Sequence, residues 1–408
     1  MTGHIVGHLV RRGMQHAHQH FTKEQYVNKL EQDAKLYDDA GPEMELKPQE
    51  FLPVVITGLV ALVMIWSVDY VLGQVVSSLT MIESPSRTAV IDAKPPPYTS
   101  NEKEPLMAAE PDADVEVTII EQKPITAKIT TTIHHLQRIG GFSARWRGLG
   151  LAALYHFMHA IMTNLIAGLL GVGLIGEAFA SIFVSMGLAR LHMAWTHKMI
   201  AYPSTQSWVR RLPARRDCKA LLLPAVVYAA AQQATIVLPV LVAVALGVAE
   251  PQHGNIKHAM NHEDCSKMVF LGLRFFAVPA TYVLVGLAVL LPASVTLTRI
   301  EALLLPEGEE TIVNFDKAAV MGDIDLTARG GCRALFVQAW RSFDRSSRLR
   351  LIKLYAKMIV AQITIGLVAV HLMVAELYVI GGERLAIFMK SASAQLKLMA
   401  IEAHKNGN

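Results

Sequence analysis

Polar side chains set inside long apolar runs are where this chain is equipped to do chemistry. His156, His159 and Asn164 lie in the run that begins at Gly148, and Gln232 and Gln233 in the run that begins at Ala220. His371, with Glu376 further along, lies in the run that ends near Ile380. Imidazoles, amides and carboxyls are expensive in hydrocarbon, so they either serve a function or pair between helices. His156 and His159 stand three apart and face one way on a helix. One expectation is therefore a polar cavity between the second, fourth and sixth apolar runs, with His156, His159, Gln232, Gln233 and His371 moving a small solute or a metal ion. The plainer expectation is that these groups only fix packing. Two more histidine groups lie in polar sequence: His16, His18 and His20, then His253, His258 and His262, followed by Glu263, Asp264 and Cys265. Imidazole suits zinc, copper or nickel. Neither group has the spacing of a metal motif, so no metal and no cofactor is expected.

A second chemistry is recognition. Residues 82–113 are polar, with Pro, Ser, Glu and Ala prominent, and read as a flexible linker. Within it stand Pro95, Pro96, Pro97 and Tyr98. A P-P-x-Y string prefers polyproline II, costs little entropy to order, and fits the aromatic groove of a WW domain. The expected partner is a WW-domain protein such as a membrane-associated ubiquitin ligase. Arg210, Arg211, Arg215 and Arg216 sit in a connector between two apolar runs and suit contact with anionic lipid heads.

The elements that must position these groups follow from composition. Of 408 residues, 52% are hydrophobic and only 18% charged, well under the roughly 25% charged of an ordinary soluble domain. Three cysteines exclude a disulfide framework, and a net charge of +4, locally placed, gives no case for nucleic acid. A spanning helix needs about 20 mostly apolar residues. Six segments qualify: Phe51 to Leu72, two helices between Gly148 and Ala189 separated by a glycine turn, Ala220 to Val248, Phe275 to Thr298, and Lys357 to Ile380. Lys and Arg collect before the second span, between the third and fourth, and between the fifth and sixth, which assigns those regions to the cytosol. Both termini and the loop from Glu250 to Lys267 then face outward.

The expected fold is an all-α polytopic membrane bundle of about six transmembrane helices, with a small β appendage on the cytosolic face. The organisation reads as a His-rich tail (1–50), the first span (51–72), a cytosolic linker (73–136), a bundle of spans two to five (137–298), a basic cytosolic loop (299–356), the sixth span (357–380) and a C-terminal tail (381–408). Val115 to Ile120 and Ile125 to Ile133 are rich in β-branched residues and read as the two strands of a hairpin, and Glu310 to Phe315 as another short strand. Residues 1–23 lack any acid and contain Arg11 and Arg12, but they are poor in Ser and rich in His. The plasma membrane or endomembranes are favoured over the mitochondrion.

The chain has no G-x-S-x-G, P-loop, H-E-x-x-H or C-x-x-C string, and no enzyme is expected. The leading expectation is a membrane scaffold or adaptor, with transport as the alternative. Ala194-Trp195-Thr196-His197, Pro203-Ser204, Trp208 to Pro213, Gly140 to Gly148, Pro306 to Asp316 and Lys353 to Met358 carry a resemblance. Over roughly residues 120–380 the chain resembles a family of multi-pass membrane proteins of filamentous fungi. Some members of that family bear a "ubiquitin carrier" label. A conjugating enzyme needs a soluble α/β core around a reactive cysteine, and Cys218 sits in a basic connector. The resemblance implies a polytopic membrane protein and transfers no catalytic residue.

Overall fold

The computed structural model describes residues 27–33, 51–92, 116–204, 219–248, 265–326, 328 and 330–406. Six helices among them are long and apolar enough to cross a membrane. The chain divides into two compact units, residues 68–359 and residues 1–67 with 360–408, and the division falls within the first and last spans.

The larger unit is built on helix ends that overrun the membrane. The first span, α1, is continuous over Leu52–Ile82. Its 31 residues rise about 46 Å, more than the roughly 30 Å of a hydrocarbon core. The helix therefore does not stop at Leu72, and Asp69 lies within it rather than near its end. Asp69–Val76 is π-helical, which turns Tyr70, Val71, Val75 and Val76 inward, and every residue of Ser77–Ile82 is buried. The other spans are α3 (Leu149–Leu170), α4 (Leu174–Ile200), α5 (Lys219–Ala245), α6 (Cys265–Leu303, with a π-helical turn at Gly286–Leu290) and the start of α9 (Arg345–Asn406). Ala144, Tyr155, Trp195, Ile200 and Ala302 pack with Tyr70, Leu79 and Ile82 in one core, and Leu291, Leu351 and Leu354 pack with Val71 and Met81 in another. So α1, α4 and α6 end, and α3, α5 and α9 begin, at a single face.

That face is capped. The basic stretch between the fifth and sixth spans folds into α7 (Lys317–Met321) and the amphipathic α8 (Gly331–Arg341), whose Leu335 and Ala339 bury against Ala220, Ile300 and Val320. Away from the cap, large apolar side chains are bare: Phe157, Leu169, Phe179, Phe183, Phe276 and Leu284 are each more than 60% exposed. A soluble protein does not leave that much apolar surface in water. These are the lipid-facing surfaces.

A two-stranded antiparallel ladder emerges from the cap. β1 (Ser86–Asp92) pairs with β2 (Glu116–Gln122), register Ser86 to Gln122 through Asp92 to Glu116. The β appendage is thus present, with a different partner from the one expected. Ile125–Ala127 is a 3-10 turn and α2 is helical over Ile129–Gly140. Ile129, Thr132, Ile133 and Leu136 recur at helical spacing, and Thr132 and Leu136 are fully buried. Burial at the 3.6 period overrides the strand preference of the β-branched residues. Glu310 to Phe315 forms no strand; it contributes one bridge, Ala201 to Thr311, and buries Ile312 and Val313 in the core.

In the smaller unit, α1 and α9 pack as a pair. Thr57 Oγ1 donates to Glu376 Oε1 at 2.5 Å, and a Cβ on Gly58 would lie 3.7 Å from Met373 Sδ. Beyond a break at Gly382 (φ 48°), Lys390 reaches Asp33 of the short helix 27–33 at 2.9 Å, and Leu30 buries against Ala394 and Leu398.

Candidate functional site

Where the capped helix ends meet, ionisable groups go inside. Two come from the last turns of α6, just past Thr298. Arg299 is 2% exposed and Glu301 fully buried. The Arg299 guanidinium donates from Nη1 to the Met81 carbonyl at 3.0 Å and from Nη2 to Ser342 Oγ at 3.1 Å, and it stacks over Phe343 and Phe315. The Met81 carbonyl is one of the four that the end of α1 cannot satisfy within the helix. Arg299 thus ties α1, α6 and the α8–α9 connection together.

Glu301 faces α4. Its Oε1 lies 2.7 Å from His192 Nδ1, its main-chain carbonyl 2.7 Å from His197 Nε2, and its Oε2 is buried with no hydrogen-bond partner among the described residues. The i, i+5 pair His192 and His197 thereby clamps the last turn of α6. The His192 ring lies 5.3 Å from both Tyr155 and Trp195 and 5.7 Å from Tyr228. Tyr155 is the hub. Its ring lies 5.3 Å from His156 and 5.8 Å from His159. Three imidazoles thus surround one phenol and lead to a buried carboxylate. The His192–Glu301 link is at hydrogen-bond distance, and the links through Tyr155 are aromatic ring contacts.

Of the residues singled out above, His159 approaches Ser185 Oγ at 3.0 Å, and Gln233 donates to Ser181 Oγ at 2.7 Å. Span three, α4, therefore mediates between spans two and four, with the serines as the link. Gln232 donates to Tyr228 within α5. His371 belongs to the other unit, is exposed, and bonds the Leu367 carbonyl of its own helix. Pro95, Pro96, Pro97, Tyr98, Arg210, Arg211, Arg215 and Arg216 lie outside the described residues, as do His16, His18, His20, His253, His258 and His262. Among the described residues no three His, Cys, Asp or Glu side chains are grouped to hold a metal ion.

No family model, curated protein or solved structure matches this chain. Its function must be argued from its own residues.

The cap has a second polar knot. Glu83, 4% exposed just past α1, accepts from the Ile125 and Thr126 amides at 2.6 and 3.1 Å and from the Thr126 hydroxyl, and it pairs with Arg350 at 3.4 Å. It fixes the 3-10 turn that carries the chain from the β ladder into α2. Ser84 donates from its amide to the Asn314 carbonyl at 2.8 Å. The root of the ladder is therefore held at both strands.

Sequence reasoning missed Glu301, His192, His197, Tyr155 and Trp195 as a set. The signal was present: Arg299 and Glu301 are followed by Ala302-Leu303-Leu304-Leu305, so the apolar run does not end at Thr298.

Proposed function

We propose that this multi-pass membrane protein is a non-enzymatic scaffold that offers Pro95 to Tyr98 on its cytosolic side to a WW-domain partner. The observation that supports this reading best is the β1–β2 ladder. It brings Asp92 and Glu116 side by side, so the 23 residues between them, which include Pro95 to Tyr98, form a closed excursion from a root anchored at Glu83 and Ser84. A short recognition string in the connection between two strands rooted at the cap is the kind of segment that a groove-lined domain reads. The second support is charge. The face from which the ladder springs carries Arg138, Arg145, Arg147, Lys198, Lys219, Arg341, Arg345 and Arg348, while the turn between α3 and α4 at the other end carries none. Bases near span ends mark the cytosolic side.

The test is capture of an immobilised WW domain by the full-length protein in detergent. Tyr98→Ala is expected to abolish capture and leave the melting temperature unchanged. Equal capture by the variant would remove the adaptor reading.

One observation favours transport instead: the buried, half-satisfied Glu301 carboxylate beside His192, with His156 and His159 beyond. On that reading the row relays protons that accompany a small solute. Proteoliposomes holding an internal pH dye would acidify under an imposed gradient with the parent protein and not with Glu301→Gln. Identical traces from the two would leave the cluster a packing device.

A further inference from the structure

The outer side of α8 carries a groove that neither reading above uses. Arg333, Val337 and Arg341 stand at i, i+4 and i+8, so they form one stripe along the helix. With Ile324, Gly330, Ala334 and Gln338 they line a groove of about 420 Å³. The apolar part of its lining is Ile324, Ala334 and Val337, the last 38% exposed. Its two ends are cationic: Arg333 and Arg341 are both exposed, and neither makes an ion pair or hydrogen bond among the described residues. α8 itself carries no acid; the exposed Asp323 and Asp325 flank Ile324 at the groove's N-terminal edge, away from Arg341. The two arginines are about 12 Å apart along the helix axis, a gap that their side chains can close from opposite sides over Val337.

The depth of α8 decides what reaches this groove. The inner face of α8 packs on Ala220 and Ile300. Two residues beyond Ala220, Leu222 is 46% exposed and begins the lipid-facing surface of α5. On the next helix in the chain, α9, Leu349 (49% exposed) follows Arg341 by eight residues. Trp340 on α8 is half-buried, with the Arg348 guanidinium 4.0 Å from its ring centroid, and Trp is enriched at membrane interfaces. The groove thus lies on the face where the spans end, beside helices whose next turns carry exposed apolar side chains. Guanidinium forks bind phosphate in two-point fashion and lose less to dehydration than ammonium does.

We infer that the Arg333–Val337–Arg341 groove is a binding site for the phosphate headgroup of an anionic glycerophospholipid, with Arg333 and Arg341 gripping the phosphate and Val337 and Ala334 seating the glycerol end. A zwitterionic headgroup brings its own cation and fits such a site poorly. A free phosphate would use the arginines and leave the apolar lining idle.

The experiment uses the full chain in neutral detergent, with dioctanoyl phosphatidic acid, dioctanoyl phosphatidylcholine and inorganic phosphate as separate probes, read by thermophoresis. Phosphatidic acid is expected to bind, and Arg333→Gln with Arg341→Gln to weaken it tenfold or more. The control pair Lys128→Gln and Arg138→Gln, exposed on the same face but away from the groove, is expected to leave affinity unchanged. Val337→Asn is expected to weaken phosphatidic acid and spare inorganic phosphate. All of these side chains are exposed, and matching melting temperatures for the unliganded variants show that folding is intact. The inference fails if phosphatidylcholine binds equally well, if inorganic phosphate binds as tightly as phosphatidic acid, or if the control pair costs as much affinity as the groove pair.

Discussion

A buried guanidinium is held here by carbonyl and hydroxyl oxygens and aromatic faces. Arg299 joins three segments by giving its protons to the Met81 carbonyl and the Ser342 hydroxyl, and this predicts an asymmetry between substitutions. Arg299→Met keeps much of the volume and strands the Met81 and Ser342 acceptors; it should cost about 2–4 kcal/mol, seen as a lower melting temperature in detergent. Arg299→Lys keeps the charge and loses the planar fork, so it should fall between parent and Met. A Met variant as stable as the parent would mean the guanidinium is dispensable. Gly148 is the other sensitive point. Its φ is +75°, and a Cβ there would lie 3.0 Å from Trp195 Cδ1. Gly148→Ala should cost about 1–3 kcal/mol and alter the fluorescence of Trp195, whose indole donates to Tyr70 at 3.2 Å. Gly187→Ala, in the middle of α4 with open space around it, should be neutral or slightly stabilising. At this scale the sequence was only partly legible. His156, His159 and Gln233 stand out because they interrupt apolar runs. Arg299 and Glu301 did not, because a charge near the end of an apolar window looks the same whether it leaves the protein or turns into it.

Elements here are decided by burial more than by local preference. The stretch Ile129-Thr130-Thr131-Thr132-Ile133 has the composition of a strand and is a helix, because Leu136 packs in a core with residues of α1 and α4 and Thr132 is buried on the same side. Strand β1, by contrast, hid in polar sequence that reads as linker; its partner is 30 residues on, beyond the reach of local pattern. If packing holds α2 in place, Leu136→Ala should destabilise the protein by about 2–5 kcal/mol, whereas exposed Thr131→Ala should change little; equal effects would show that α2 is merely attached. The start of α9 makes a pH-dependent contribution. Burial pushes the Asp344 carboxyl upward, but donation from the Ser346 hydroxyl and the Ser346 and Ser347 amides outweighs it and holds the group below the usual carboxylate range. A depressed folded value means the ionised cap stabilises the fold above the unfolded pKa of about 3.9. That stability is lost as the pH falls from there through the lower folded value. Asp344→Asn should therefore melt below the parent at pH 7, and the two melting curves should converge at acid pH. A gap that persists undiminished below pH ~3 would place the effect elsewhere.

For the whole molecule, six crossings were legible because length and apolarity alone decide a span: about 20 residues must satisfy their backbone internally across about 30 Å. What length could not reveal is that the spans run on past the hydrocarbon and build the cap from their own ends, as Ser77–Ile82 of α1 does. The fold gives the alternation a geometric basis, since α1, α4 and α6 end where α3, α5 and α9 begin. A chain so arranged must place α2 and the α3–α4 turn on opposite sides of the membrane. With Cys218, Cys265 and Cys332 changed to serine, Arg138→Cys on α2 and Val172→Cys in the turn should react with an impermeant maleimide from opposite sides of sealed vesicles; both positions are exposed. Labelling of both from one side would break the alternation and with it the shared face. If they do divide, the side that reaches Arg138 is also the side on which the β1–β2 ladder stands, because Glu83 bonds the turn that leads into α2. Protection of Arg138→Cys in right-side-out vesicles would put Tyr98 in the cytosol, where a WW domain can meet it. Labelling of that position from outside would remove every cytosolic partner at once, and the buried Glu301 row would then become the part of the molecule that most needs explaining.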